Sequence, residues 1–545
     1  MKRAEPRIIE WNVKDLEAVI RRIEAGRPTP EDYETLRTLS QSYIHLVAML
    51  KDKNVSIGRL RRILFGATTE KTDAVLGDAT ESSSGSSTDD DASEEDAPSE
   101  DAKPPPKGHG RNGADAYPGA EKFHVPHKSL RSGDPCPECG EGVVYERSKP
   151  GVLIRLVGQA PVQAKVYRLQ KLRCNLCDKL FTASPPDGAG DKKYDATVAA
   201  MIGLLKYGGG LPFNRLEGLQ GSLGIPLPAS TQWDLVNDAA RLIKPAFLEL
   251  VRQAAQGDVV HNDDTTVRIL ERMGKRKDRR AALESADEKR PERRGLFTTC
   301  VLSTTHAGCR IAVFFSGLKH AGENLNSLLS RRAESLVTPI QMCDALSRNT
   351  PKEFKTIMAN CLAHGRRQFV DVAEQFPEPC RRVLEAFKTI YHNDAIAKEH
   401  NLSPEARLAF HIKETSPVAN DLKAWLERQF DERLVEPNSS LGGAINYLLR
   451  HWNELTLFLR QAGAPLDNNI CERALKKAVL HRKNALFYKT DHGASVGDLY
   501  MSLIYSCQLC GSDPFDYLTT LQRNADSLIA RPEDWMPWNY RAART

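Results

Sequence analysis

The chain has 545 residues, 41% of them hydrophobic and 27% charged, with a formal net charge of +5. That length exceeds one ordinary hydrophobic core and predicts three or four domains. No apolar run approaches the roughly 18 to 20 residues that span a bilayer, and the opening MKRAEPRIIEW lacks the apolar core of a secretory signal, so we expect a cytoplasmic protein with no membrane partner.

Residues 1–77 read as an N-terminal helical region. Leu36, Leu39, Tyr43, Leu46, Leu50, Lys53, Ile57, Leu60 and Leu64 follow alternating steps of three and four, the seam of a coiled coil with one polar intruder. An amphipathic helix folded back on its own chain fits the same spacing. Residues 78–125 form a Ser-, acid- and Pro-rich linker too poor in apolar side chains to offset its ordering entropy. Ten acids and no Lys or Arg fall within residues 78–101, so the rest of the chain carries about +15. Such an excess suits a polyanion through phosphate contacts, without sequence specificity.

Residues 126–190 hold two Cys-x-x-Cys pairs, Cys136 with Cys139 and Cys174 with Cys177, separated by 34 residues that contain two strand-like runs. Four thiolates so spaced predict a zinc ribbon holding one structural Zn2+. Residues 191–256 read as helices. NRLEGLQGSLG, ending at Gly224, and Ser230 as N-cap of TQWDLVNDAAR have the turn chemistry of a helix-turn-helix. Gln232 and Arg241 are its polar candidates for reading DNA, and any helical pair would share the pattern.

From 257 to 369 strand-like runs (DVVHND, GLFTTCVLSTT, CRIAVFFSG, VTPIQMCD) alternate with turns and one helix, GENLNSLLS. This order predicts the first part of an RNase H-like catalytic core, with one acid on the first strand and another after the fourth. The charge run at 271–295 interrupts it as a solvated hairpin extension. Residues 370–462 read as a helical insertion, 463–520 as the second part of the core, and 521–545 as a C-terminal tail. The fold class is therefore multidomain α/β.

Three acids stand where such a core could gather them: Asp263 or its neighbour Asp264 in the first strand, Asp344 after the fourth, and Glu472 in the helical stretch LDNNICERALKKAVLHRKN. Carboxylates converging from two strand ends and a later helix can hold paired Mg2+ (or Mn2+) ions that stabilise both attacking and leaving oxygens in phosphoryl transfer. An exposed Glu472–Lys476 pair on a helix surface is the plainer reading of the third acid, and Asp467 is its nearby competitor. In NCLAHGRRQF, Cys361 and His364 form a Cys-x-x-His pattern that could support such a site or position DNA, beside Arg366 and Arg367. Arg473, Lys476, Lys477, Arg482 and Lys483 supply a basic stretch for the DNA backbone.

The strings NDDTTVRIL, CLAHGRRQF, LDNNICERALKKAVLHRKNALF and PEDWMPWNY, with GLPFNRLEGLQGSLGIPLPASTQWDLV upstream, resemble the bacterial transposases of the insertion-sequence 66 family over about residues 36 to 540. The resemblance implies an Asp-Asp-Glu transposase. Matching NDDT to the family's Asp-Glu-Thr pattern selects Asp263, leaving Asp264 in the second acidic position, and the LDNN-to-ER spacing selects Glu472. It further implies cleavage at the element ends, transfer of the 3′-hydroxyl into target DNA, and double-stranded DNA as partner, both as terminal inverted repeats and as target. A homo-oligomer is implied through the N-terminal zipper and LFGATTEKTD, with a nucleoid-associated location and small accessory proteins in consideration as partners. A non-catalytic DNA-binding regulator and a nuclease that only hydrolyses are the rival readings.

Overall fold

A computed structural model describes residues 129–138, 141–145, 159–173, 180–187, 189–190, 192–273 and 295–544, with scattered positions between 19 and 37. The expected coiled-coil seam, the acidic linker and most of the 271–295 charge run lie outside these residues. Two units are distinguished, one of Met1–Glu81 with Val162–Thr545 and one of Ser82–Pro161. In the smaller, a tight turn surrounds Cys136, whose N–H donates to the Gly142 carbonyl at 2.6 Å beside a Pro135–Val143 bridge. In the larger, β1 (Lys171–Arg173) pairs antiparallel with β2 (Leu180–Thr182).

Helix α1 (Ala196–Gly203) starts at Asp195, whose carboxylate accepts the Thr197 N–H. Helix α2 (Phe213–Ser222) ends in a turn where Gly224 takes φ +72, a conformation that favours glycine. Helix α3 (Ala229–Ala254) follows with Pro228, not Ser230, in the capping position. The helical pair exists, but Gln232 requires a correction. Its side chain is fully buried, and its amide donates to the Leu227 carbonyl at 2.8 Å and the Phe213 carbonyl at 3.1 Å. It ties the inter-helix turn shut, where buried carbonyls need a donor, and cannot reach a base. Arg241 is exposed and pairs with Asp238 at 3.4 Å.

The four expected strands appear as β3 (Val259–Thr266), β4 (Phe297–Thr304), β5 (Arg310–Gly317) and β6 (Ile340–Cys343), with helix α4 (Ala321–Leu329) before β6. A fifth, β7 (Ile357–Asn360), was not among the strands read from the sequence. The sheet order is β5-β4-β3-β6-β7, antiparallel between β3, β4 and β5 and parallel between β3, β6 and β7. Helix α5 (Leu362–Val370) leaves β7, and α6 (Pro377–Glu399), α7 (Pro404–Glu414), α8 (Ser416–Asp431) and α9 (Ser440–Arg450) form the helical stretch expected between the second and third acids. The chain returns through α10 (Asn469–Ala485) and α11 (Asp491–Leu509).

The open edge of β5 is closed by α11. Ser506 Oγ accepts the Ala312 N–H at 3.1 Å, Ser502 Oγ accepts that of Phe314 at 2.9 Å, and Asp498 that of Ser316 at 2.6 Å. The spacing works because four helical residues rise about 6 Å, close to the 6.6 Å of two strand residues. An edge that could recruit foreign strands is thereby satisfied internally. Two apolar cores divide the sheet. One gathers β4, β5, α3, α10 and α11 around Ile243, Val301, Phe314, Leu475 and Leu503; the other gathers β6, β7, α5 and the inserted helices around Met342, Phe369, Leu384, Leu426 and Leu448. Among the described residues no helix is long and apolar enough to cross a membrane.

Candidate active site

Strand β3 reads VVHNDDTT, and alternation sends His261 and Asp263 to one side and Asn262 and Asp264 to the other. Asp264 turns to the start of α4, where Oδ2 accepts the Ala321 N–H at 3.1 Å and lies 3.0 Å from His320 Nδ1. A buried carboxylate at a helix N-terminus is favoured by the unpaired amides there. This occupies Asp264 and accounts for the second acid of the pair.

Asp344 directly follows β6, His364 stands in the first turn of α5, and Glu472 in the first turn of α10. Ligand atoms of Asp344, Cys361, His364 and Glu472 lie within 4.8 Å of one another. His364 Nδ1 is 3.0 Å from Asp344 Oδ1 and 3.8 Å from Glu472 Oε1. Asp263 stands outside this tightest group, its Oδ1 accepting the Asp264 N–H at 2.7 Å. It is still near enough for both other acids to act on it: burial, and then the charges of Asp344 and Glu472, push its carboxyl up to about 7. Burial and the charge of Glu472 push Asp344 up to about 6, against the pull of Arg367 and Arg348.

Apart from the approach of His364 Nδ1, the buried Asp344 Oδ1 and Glu472 Oε1 receive no hydrogen bond from the described residues. Desolvated carboxylate oxygens without donors are costly, and mutual repulsion adds to the cost. A divalent cation would relieve both, and hard oxygen donors with one imidazole suit Mg2+ or Mn2+. Cys361 differs from the acids. Its sulfur accepts the Asn468 N–H at 3.2 Å and burial pushes its thiol up to about 12, so it serves as a neutral internal partner. Among the described residues no ion pair joins Glu472 to exposed Lys476, and Asp467 is occupied by Asn469, accepting its N–H at 3.1 Å and its side-chain amide at 2.8 Å.

The other DNA-contact candidates divide. Lys477 Nζ donates to the Gly208 carbonyl at 3.2 Å, and Arg482 Nη1 to the Thr266 carbonyl at 2.6 Å and Thr265 Oγ1 at 3.1 Å. Both are half-buried and fasten α10 to its neighbours. Arg473, Lys476 and Lys483 are exposed, and Arg366 and Arg367 are half-buried on α5. Cys136 is half-buried; Cys139, Cys174 and Cys177 lie outside the described residues.

Sequence reasoning missed the buried polar groups behind the acids. Asn468 is fully buried; its Oδ1 lies 3.1 Å from His261 Nδ1 and its Nδ2 donates to the Asn262 carbonyl at 3.3 Å. Burial pushes His261 down to about 4, leaving a neutral ring with one proton to donate. Asn262 Oδ1 in turn accepts from Gln341 Nε2 at 2.8 Å. The one available signal was the polar run HNDD inside a strand otherwise suited to a core.

A model described as Transposase IS66 family matches residues 192–496, more than half of the chain and a span containing all three acids. The chain belongs to the IS66 transposase family. Among its relatives, Uncharacterized protein y4jD of Sinorhizobium fredii (strain NBRC 101917 / NGR234) is 26% identical over 520 residues, covering 92% of this chain and 97% of that protein. Uncharacterized protein y4hP of the same strain is 26% identical over 396 residues, covering 69% and 67%. The IS66 match begins just before α1 and ends within α11, so it takes in the helical pair, the sheet, the inserted helices and α10 together.

Proposed function

We propose that this IS66-family chain is an Asp-Asp-Glu transposase that cuts DNA at the ends of an insertion sequence and joins the freed 3′-hydroxyl to target DNA. The observation that carries the reading is the close grouping of Asp344, His364 and Glu472 from three separate elements, with Asp263 near enough for the charges of both other acids to raise its carboxyl. The sheet order, with the first acid on the central strand and the second at the end of its parallel neighbour, supports an RNase H-like core. Bound Mg2+ or Mn2+ would supply charge stabilisation of the attacking and leaving oxygens. The chain's own part is positioning: the three carboxylates hold their spacing, His364 lies against two of them, and exposed Arg473, Lys476 and Lys483 extend from the same helix as Glu472 toward a phosphate backbone. Double-stranded DNA is the substrate. The zipper-like N-terminus, in a homo-oligomer, and accessory proteins would assemble the two ends, while Cys136, Cys139, Cys174 and Cys177 would hold a structural zinc.

The test incubates purified protein with pre-nicked DNA carrying the element's flanking repeats, a target plasmid and Mg2+, comparing wild type with Glu472→Gln. Joined products from wild type alone are expected. Cleavage without joining would reduce the protein to a nuclease, and binding without either reaction in Mg2+ and Mn2+ would point to a regulator or to a missing accessory partner.

A further inference from the structure

The two apolar cores share the acids between them. Glu472 stands on α10 of the first core, Asp344 at the end of β6 and His364 on α5 of the second, and Asp263 on β3, whose Val260 lies in the first core while Val259 packs against the second. The β3–β6 pairing and the Gln341–Asn262 bond join the two sides of the sheet, and one buried residue, through its side chain and its main chain together, ties both to the start of α10. Asn468 Oδ1 meets the ring of His261, which shares a strand face with Asp263 two residues on, and Nδ2 donates to the Asn262 carbonyl at 3.3 Å. Its backbone N–H donates to Cys361 Sγ at 3.2 Å, three residues before His364. Its carbonyl accepts the N–H groups of Cys471 at 2.9 Å and Glu472 at 3.1 Å, opening α10 one turn ahead of the third acid.

We infer that Asn468 is a positioning residue that locks the start of the Glu472 helix to the Asp263 strand and to the His364 helix, and so sets the spacing of the carboxylates for divalent cations. The inference rests on the active-site reading above. The side chain could not be replaced by a generic cap, because its acceptor and donor are both used on β3 while its main chain serves α5 and α10. A group behind the ligands, buried and bonded at every available atom, tunes affinity by fixing geometry, and losing such a group typically costs about 10- to 100-fold in metal affinity or activity.

The experiment compares wild type, Asn468→Ala, Glu472→Gln and Leu475→Ala, the last a buried truncation on the same helix that touches none of these hydrogen bonds. Mn2+ affinity is read by calorimetry, DNA affinity by equilibrium binding, folding by thermal midpoint, and joining with pre-nicked DNA. Asn468→Ala is expected to lose about tenfold or more in Mn2+ affinity and in joining turnover, with DNA affinity near wild type. Leu475→Ala is expected to lower the thermal midpoint while keeping Mn2+ affinity within about twofold. If Asn468→Ala fails to fold, Asn468→Asp is read by the same criteria, since it keeps the shape and the bond from His261 but sets an oxygen against the Asn262 carbonyl. Mn2+ affinity that falls no further in the Asn468 variant than in Leu475→Ala, with Glu472→Gln inactive, would overturn the positioning role alone. A Glu472→Gln protein that binds Mn2+ and joins DNA like wild type would overturn the active-site reading and this inference with it.

Discussion

Replacing Asp263 by Asn should stabilise the metal-free protein while destroying its activity. Carrying this carboxyl from its ordinary 3.8 to about 7 costs the folded state about 4 kcal/mol once the group is ionised, at about 1.4 kcal/mol per pH unit. An amide still loses hydration on burial and the neighbouring acids relax, so the net gain should be about 2 kcal/mol. The sign follows from the direction of the shift. A carboxyl whose value is raised in the folded state imposes no penalty below about pH 4, a growing one as pH climbs toward 7, and the full one above. In Mg2+- and Mn2+-free buffer, calorimetric unfolding of Asp263→Asn should therefore occur several degrees above wild type at pH 8 and level with it at pH 4. Saturating Mn2+ should raise the midpoint of wild type and leave the variant nearly unmoved. A variant no more stable than wild type at pH 8, or one equally stabilised at both pH values, would refute the claim that these acids form a repulsive, cation-seeking cluster.

Gln232→Ala should lower stability by about 1 to 3 kcal/mol in urea unfolding, because it strands the Leu227 and Phe213 carbonyls. Its DNA affinity per folded molecule should stay at the wild-type value, whereas exposed Lys476→Ala should shorten the salt dependence of DNA binding by about one unit of slope. One zinc per chain is expected by atomic absorption, falling with Cys136→Ser. Chelation should unfold only residues about 130 to 182, leaving the helical circular dichroism of the rest in place, and a global loss of that signal would count against a self-contained ribbon.

The five-stranded sheet was readable because its strands are strongly patterned: FTTCVLST and RIAVFFSG can hardly be anything but buried β, and Gly or polar turns mark their ends. β7 was not, since IMAN is too short to show a period and takes its form from pairing with β6. Of the acids, Asp263 needed the family pattern to separate it from Asp264, a choice that alternation along β3 explains once the start of α4 is seen to take the neighbour. Gln232 misled, and Lys477 and Arg482 have partners within the fold that the sequence did not show, for a common reason. Polar side chains at helix starts and on basic helices suit nucleic acid equally well as they suit stray carbonyls, and only the tertiary neighbours decide. Asn468 was invisible for the converse reason, because its partners at 261, 262 and 361 are more than 100 residues away.

The division of the sheet between two apolar cores gives the protein a mechanical character. Packed bodies slide past each other more readily than they dissolve, and a shear of an ångström between them would spread carboxylates that must act within a few ångströms. The inserted helices, which lie in sequence between Asp344 and Glu472, pack on the β6 and β7 side of that one sheet, so their displacement would move Asp344 and His364 relative to Glu472.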